Sequence, residues 1–154
     1  MTSQRPDSSS QFDNDRSKEL SREHKKLLAK IESESILNAP MVKGSIYFYV
    51  NTHGDGDLNR EELIDDPSAL DLVSNELGIE IRCESKHHRW IAKPPQVLKI
   101  LEFAATHLMQ LNSQSSANFG INAELKWQGE QDLENIIHLT QSKGNPEWQA
   151  KRYC

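Results

Sequence analysis

The amino-acid sequence predicts an α+β domain in which a mostly antiparallel sheet of about five strands packs against one long helix. Short β-branched, aromatic or alternating segments recur between residues 45 and 140, separated by turn residues. A single long apolar stretch, from Pro95 to about Asn112, has the length and pattern of a helix. No internal repeat or linker interrupts this region, so residues 41–154 are assigned to one domain.

Composition limits the function classes. The 154-residue chain is long enough for a domain with its own core, and its net charge of −5 disfavours a surface built to neutralise many phosphates. It has two cysteines, Cys83 and Cys154, and no apolar run of eighteen residues. We therefore expect a soluble, cytoplasmic protein with no disulfide framework, no membrane segment and no nucleic-acid partner.

The chain before the domain divides into two parts. Residues 1–16 are rich in Ser, Asp and Gln, and we expect a disordered tail because so few apolar side chains cannot offset the entropy of ordering. Residues 17–39 are predicted to form an N-terminal helix with a narrow apolar stripe that includes Leu20, Leu27 and Ile31. That helix either docks on its own domain, the interpretation we prefer, or pairs with another chain.

The first half of the domain alternates strands and short helices. The segment from Ser45 to Val50 is predicted to be a strand, and residues 60–64 to form a turn or two of helix. A second short helix follows Asp66-Pro67 and ends at Gly78, a residue suited to a left-handed stop.

The second half begins with a hairpin. Residues 79–84 and 89–92 are its predicted strands, and residues 85–88 its loop. After the long helix, apolar side chains alternate from Phe119 to Trp127, and residues 135–140 are the returning strand. From Gln141 onward we expect irregular structure anchored by Trp148 and Tyr153.

The segment from Asn51 to Glu62 follows the predicted first strand and has the spacing of a calcium loop. With Gly56 at the sharp turn, it resembles the EF-hand loop, from which it departs at Asn51, where Asp is usual, and at His53, where an oxygen donor is needed. The resemblance implies Ca²⁺ as a ligand. The implied metal-binding residues are Asn51, Asp55, Asp57, Asn59 and Glu62.

An alternative explanation of the same residues needs no metal. Asn59 would cap the helix predicted after the loop, with Glu62 as its capping-box partner. A predicted strand, rather than a helix, also enters the loop, so any calcium site would have a strand-loop-helix context.

The predicted hairpin carries a basic and aromatic cluster, which includes Lys86, Arg89 and Trp90. Arg and Trp are frequent at contact hot spots, so Arg89 and Trp90 are the candidate partner-binding residues. The alternative is a charged hairpin that only keeps a sheet edge soluble. His87, His88 and Cys83 lack the spacing of a closed zinc site, and adjacent histidines in a strand point to opposite sides.

The sequence Trp127-Gln128-Gly129-Glu130, near the end of an alternating strand, resembles small uncharacterised bacterial and phage proteins over about residues 44–140. That resemblance implies an accessory protein without assigned chemistry. No nucleophile elbow, phosphate loop or ordered catalytic triad is present in the sequence. We therefore expect a non-enzymatic accessory or interaction module that binds a protein partner and carries a possible weak calcium site. The alternatives are a calcium-responsive EF-hand-like protein and a small enzyme with an unrecognised pocket.

Overall fold

The computed structural model describes residues 36–53, 59–65, 70–129 and 132–153. These residues form an antiparallel seven-stranded sheet and two helices, so the predicted α+β class is confirmed, with seven strands rather than about five. The short helix predicted before Gly78 is present beside the long one. The predicted tail and residues 17–35 of the predicted N-terminal helix lie outside this part. The elements are β1 (Val42–His53), β2 (Asn59–Ile64), α1 (Asp71–Leu77), β3 (Ile81–Glu84), β4 (His87–Ala92), α2 (Pro94–Gln114), β5 (Asn118–Gln128), β6 (Glu134–Ser142) and β7 (Asn145–Tyr153), preceded by a 3-10 turn over Ile36–Asn38.

The strand β1 is the centre of the sheet, whose order is β3-β4-β1-β5-β6-β7. One edge of β1 pairs with β5 over ten residues, from Val42↔Trp127 to Asn51↔Asn118. The other edge is shared by two strands in tandem, because β4 pairs with the first half of β1 and β2 pairs with the second half. β1 therefore joins both hairpins of the N-terminal half to the β5-β6-β7 meander.

The core lies between one face of the sheet and the helix α2, which contacts β1 and β5. This helix begins at Pro94, and the side chain of Gln96 accepts a hydrogen bond of 2.9 Å from the Lys93 backbone N–H, as in a capping box. The alternating side chains of β1 and β5 that face α2 are buried, as the alternation in β5 predicts. The largest fully buried side chains of this core include Ile36, Val42, Ile46, Phe48, Leu70, Val73, Ile100, Leu101, Ile121, Leu125 and Leu139.

Two predictions about elements are wrong. Residues predicted as a turn or two of helix after the calcium-like loop form the strand β2, since pairing with β1 outweighs the helix preference of Arg60, Glu61 and Glu62. The segment predicted as irregular after Gln141 continues β6 and turns into the edge strand β7. Pro146 is tolerated there because an edge strand leaves one side of its backbone unpaired. The expected anchoring by Trp148 is confirmed, because its side chain is 5% exposed.

Turn geometry explains the sharp β3–β4 connection. Ser85 and Lys86 have φ values of 50° and 68°, which is the left-handed pair that a two-residue type I′ hairpin requires. The hairpin is as predicted, but its loop has two residues rather than four, so both His87 and His88 belong to β4. Gly78 adopts φ 63° at the end of α1, as its predicted role of helix stop requires.

Candidate functional site

The sheet has a second face, opposite the core, which we call the open face. Both helices lie on the core side: α2 contacts β1 and β5, and α1 contacts α2. None of the other described elements covers the open face. Because side chains alternate along a strand, every second residue of β1, β4, β5 and β6 projects there. The side chains at the middle of the open face are Ser45, Tyr47, His87, Arg89, Asn122, Glu124, His138 and Thr140.

Two adjoining depressions occupy the open face. The first, about 950 Å³, lies over β3, β4 and β1 and is bounded by the Gly78–Glu80 connection. The second, about 800 Å³, lies over β1, β5, β6 and β7. Ser45, Arg89 and Glu124 line both, so the depressions form one continuous surface across the sheet.

Tyr47 is held in the second depression by contacts from both neighbouring strands. The side-chain amide of Asn122 on β5 donates a hydrogen bond of 2.7 Å to the Tyr47 hydroxyl. On β4, the ring of His87 lies 4.8 Å from the Tyr47 ring, measured between centroids, with the planes tilted by 57°. The phenol is therefore oriented before any ligand arrives.

Ion pairs and a histidine–carboxylate contact connect much of the remaining surface. Glu124 accepts contacts from Lys126 at 3.3 Å and from His138 at 3.1 Å. Arg89 pairs with Glu84 at 3.1 Å, and all these side chains are between one third and three fifths exposed. Partly exposed pairs of this kind stabilise a fold weakly, so they can exchange partners when a charged ligand binds.

Tyr49 closes the end of the open face next to Tyr47. It is 6% exposed, and its ring lies over Gly120. A Cβ added at Gly120 would lie 2.9 Å from Cε1 of Tyr49 and 2.4 Å from the Tyr49 hydroxyl oxygen. Burial raises the pKa of the Tyr49 phenol above 10.0, and the charges of Glu61 and Tyr47 raise it further. The glycine at position 120 therefore makes room for a buried, neutral phenol.

The structure separates the two predicted partner-binding residues. Arg89 is exposed on the open face, whereas Trp90 is 4% exposed and faces the core. The indole of Trp90 covers Gly44, so closely that a Cβ at Gly44 would lie 2.6 Å from its Nε1. Of the pair, only Arg89 presents its side chain to a partner on this face.

Three of the predicted calcium residues, Asn51, Asn59 and Glu62, lie on the paired strands β1 and β2. Asn51 lies opposite Glu61, and Glu62 lies opposite Val50, so the side chains of Asn51 and Glu62 project from opposite faces of the hairpin. Asp55 and Asp57 lie outside the described residues, and Asn59 is paired with His53 at the start of β2. Nowhere in the described part of the chain do three His, Cys, Asp or Glu side chains converge as a metal site would require.

The histidines and cysteine considered for zinc are likewise dispersed. His87 lies on the open face, whereas His88 is 3% exposed on the core side, with its ring 6.3 Å from that of Phe48. The expectation that adjacent histidines point to opposite sides is confirmed. Cys83 is exposed on β3, paired in register with His88.

Sequence reasoning did not single out Tyr47, Asn122, His138 or Lys151 as site residues. Tyr47, Asn122 and His138 look like ordinary positions of predicted strands, and Lys151 lies in the segment that is predicted to be irregular. The signal that unites the four residues is the pairing of β1, β5, β6 and β7. None of the described helices has the length and apolar composition that a membrane span requires.

Comparison with protein-family models, curated proteins and solved structures finds no significant match for this chain.

Proposed function

We propose that this chain is a non-enzymatic accessory or interaction module that binds a partner protein on the open face. The observation that carries the proposal is that the open face has two adjoining depressions and is covered by no other described element, whereas the opposite face of the sheet packs against α2.

The composition of the open face suits protein recognition. Tyr and Arg are enriched at contact hot spots because they combine a large apolar area with polar groups. Tyr47 is held by Asn122 and His87, and Arg89 is held by Glu84. Binding therefore costs little side-chain entropy at Tyr47, whose ring is already oriented, whereas the exposed Arg89–Glu84 pair can rearrange around a partner.

An interaction role is favoured over catalysis. The arrangement closest to an acid–base pair among the described residues is Glu124 with His138, at 3.1 Å. Their side chains are 33% and 36% exposed, and Lys126 also contacts the carboxylate. Water reaches both groups, whereas a catalytic pair works best in an enclosed site that excludes it.

Site-specific photo-crosslinking tests the proposal. A photoreactive amino acid is placed at Thr140, which is exposed on the open face, or at Thr106, which is exposed on α2. In extracts of the native host, we expect position 140 to give an adduct of one defined mass that position 106 does not give. The adduct should weaken when Arg89→Glu is added. Adducts that are equal at both positions, or insensitive to Arg89→Glu, would overturn the proposal.

A second candidate function is a calcium-responsive protein whose ion-binding residues belong to the segment 51–62, which includes the ends of β1 and β2. The supporting observation is the pairing of His53 with Asn59, which brings together the two ends of the segment that contains Asp55 and Asp57. Since Asn51 and Glu62 project from opposite faces, such a site would use only one of them. Calorimetry with calcium itself as the probe, on Glu62→Gln and Glu61→Gln, tests this candidate.

A further inference from the structure

We infer that the segment of the partner that binds the open face is an acidic peptide, an inference that rests on the proposed function. The two depressions are lined by more basic than acidic side chains, although the chain as a whole has a net charge of −5. The basic residues are Lys43, Arg82, Arg89, Lys126 and Lys151, and the acidic residues are Glu80, Glu84 and Glu124.

The excess positive charge lies on two separated residues, Lys43 and Lys151. Lys43 lines the first depression and Lys151 the second, and neither is ion-paired with another residue in the described ranges. Lys151 on β7 lies opposite His138 on β6, and His138 lies opposite Glu124 on β5. Glu124 in turn lies opposite Ser45 on β1, and Lys43 is two residues from Ser45 along that strand. Three strand spacings and two residues separate the lysine backbones by ~16 Å, which is the length of about five extended residues.

Arg89 and Tyr47, which lie between the two lysines, can also contact the peptide. Arg89, at the junction of the depressions, keeps further guanidinium donors beyond its contact with Glu84. A ligand carboxylate can share that guanidinium, because an exposed ion pair costs little to rearrange. Tyr47 beside it supplies an aromatic surface for the apolar part of a peptide.

A peptide fits this surface better than a nucleic acid. The three glutamates are interspersed among the basic side chains and would repel a continuous row of phosphates. A peptide can place its carboxylates at the lysines and neutral residues beside Glu124. Charge complementarity of this mixed kind is typical of protein interfaces.

Fluorescence anisotropy with a defined probe tests the inference on the full chain. The probe is a labelled eight-residue peptide of alternating glutamate and serine, compared with a lysine–serine peptide and an oligothymidylate of equal charge number. We expect binding of the glutamate peptide only, weakened at least fivefold by Lys151→Glu or Arg89→Glu. Lys99→Glu is the matched control, because Lys99 is exposed on α2 and the substitution changes the net charge equally. It should change the affinity less than twofold.

The outcomes separate the inference from the proposed function. Equal losses from Lys151→Glu and Lys99→Glu would show that only total charge matters, and tighter binding of oligothymidylate would show that the ligand class is wrong. Failure of the glutamate peptide to bind, with the crosslink at Thr140 intact, would overturn the acidic ligand and leave the interaction module standing. Circular dichroism of each variant confirms that the sheet is retained.

Discussion

Substitution of Gly44 by alanine tests how closely the core side of β1 is packed. The new Cβ would lie 2.6 Å from Nε1 of Trp90 and closer to two of its ring carbons. Real Cβ contacts are essentially never below 3.0 Å, so the indole must shift, and at 4% exposure it cannot turn into solvent. Overpacking of a tight core costs about 1–3 kcal/mol, and alanine regains about 0.5–1 kcal/mol relative to glycine within a strand.

Because two ring carbons of Trp90 would lie only 2.3 Å from the new Cβ, the overpacking cost belongs in the upper part of its range. We therefore expect Gly44→Ala to lower the free energy of unfolding by about 1–2.5 kcal/mol, measured by urea denaturation with unchanged m-value. Gly144→Ala is the control, because nothing lies within 4 Å of its Cβ position, and its effect should stay within about 0.5 kcal/mol. In a Trp90→Phe background the cost of Gly44→Ala should shrink, since the smaller ring leaves room. Equal stability of Gly44→Ala and the parent, or an undiminished cost in that background, would refute the reasoning.

Three further predictions concern pH, a turn and calcium. The raised pKa of Tyr49 favours the neutral phenol in the folded state, so stability should be complete below pH 10 and fall above it. Urea denaturation at rising pH should show less loss in Tyr49→Phe. Replacing Ser85-Lys86 with Asn-Gly should raise the free energy of unfolding by about 0.5–1 kcal/mol, because both residues have positive φ; an unchanged value would argue against a type I′ turn. In calorimetry, any calcium heat should be lost in Glu62→Gln and kept in Glu61→Gln, its neighbour on the opposite face; equal heats in both would remove Glu62 from the site.

Local patterns in the sequence predict most, but not all, of the regular elements. The alternation from Phe119 to Trp127 identified both β5 and its buried face, and the long apolar run after Pro94 identified α2. The strand β2 escaped prediction because its residues favour helices in isolation and become a strand only by pairing with β1. The strand β7 escaped prediction because Gly144 and Pro146 usually mark irregular structure, whereas here they form a turn and begin an edge strand.

The candidate site was harder to predict than the fold. The sequence predicts Arg89 and Trp90 as partner-binding residues together, but neighbours in a strand face opposite sides, so only Arg89 is exposed and Trp90 is buried in the core. The contact between Tyr47 and Asn122 joins residues 75 positions apart in the chain. No local pattern predicts such a contact, because it depends on which strands become neighbours.

The tandem pairing along β1 has a consequence for how the chain folds. Its contacts with β2 are local, but its contacts with β5 close a loop of roughly seventy residues, which is slow because much chain entropy is lost before any contact compensates for it. During synthesis, β2 and β4 can pair with one edge of β1 as soon as they emerge, whereas the other edge stays unpaired until β5 leaves the ribosome. We expect this interval to be the time at which the chain is most prone to aggregate, and slower translation before β5 to lengthen it.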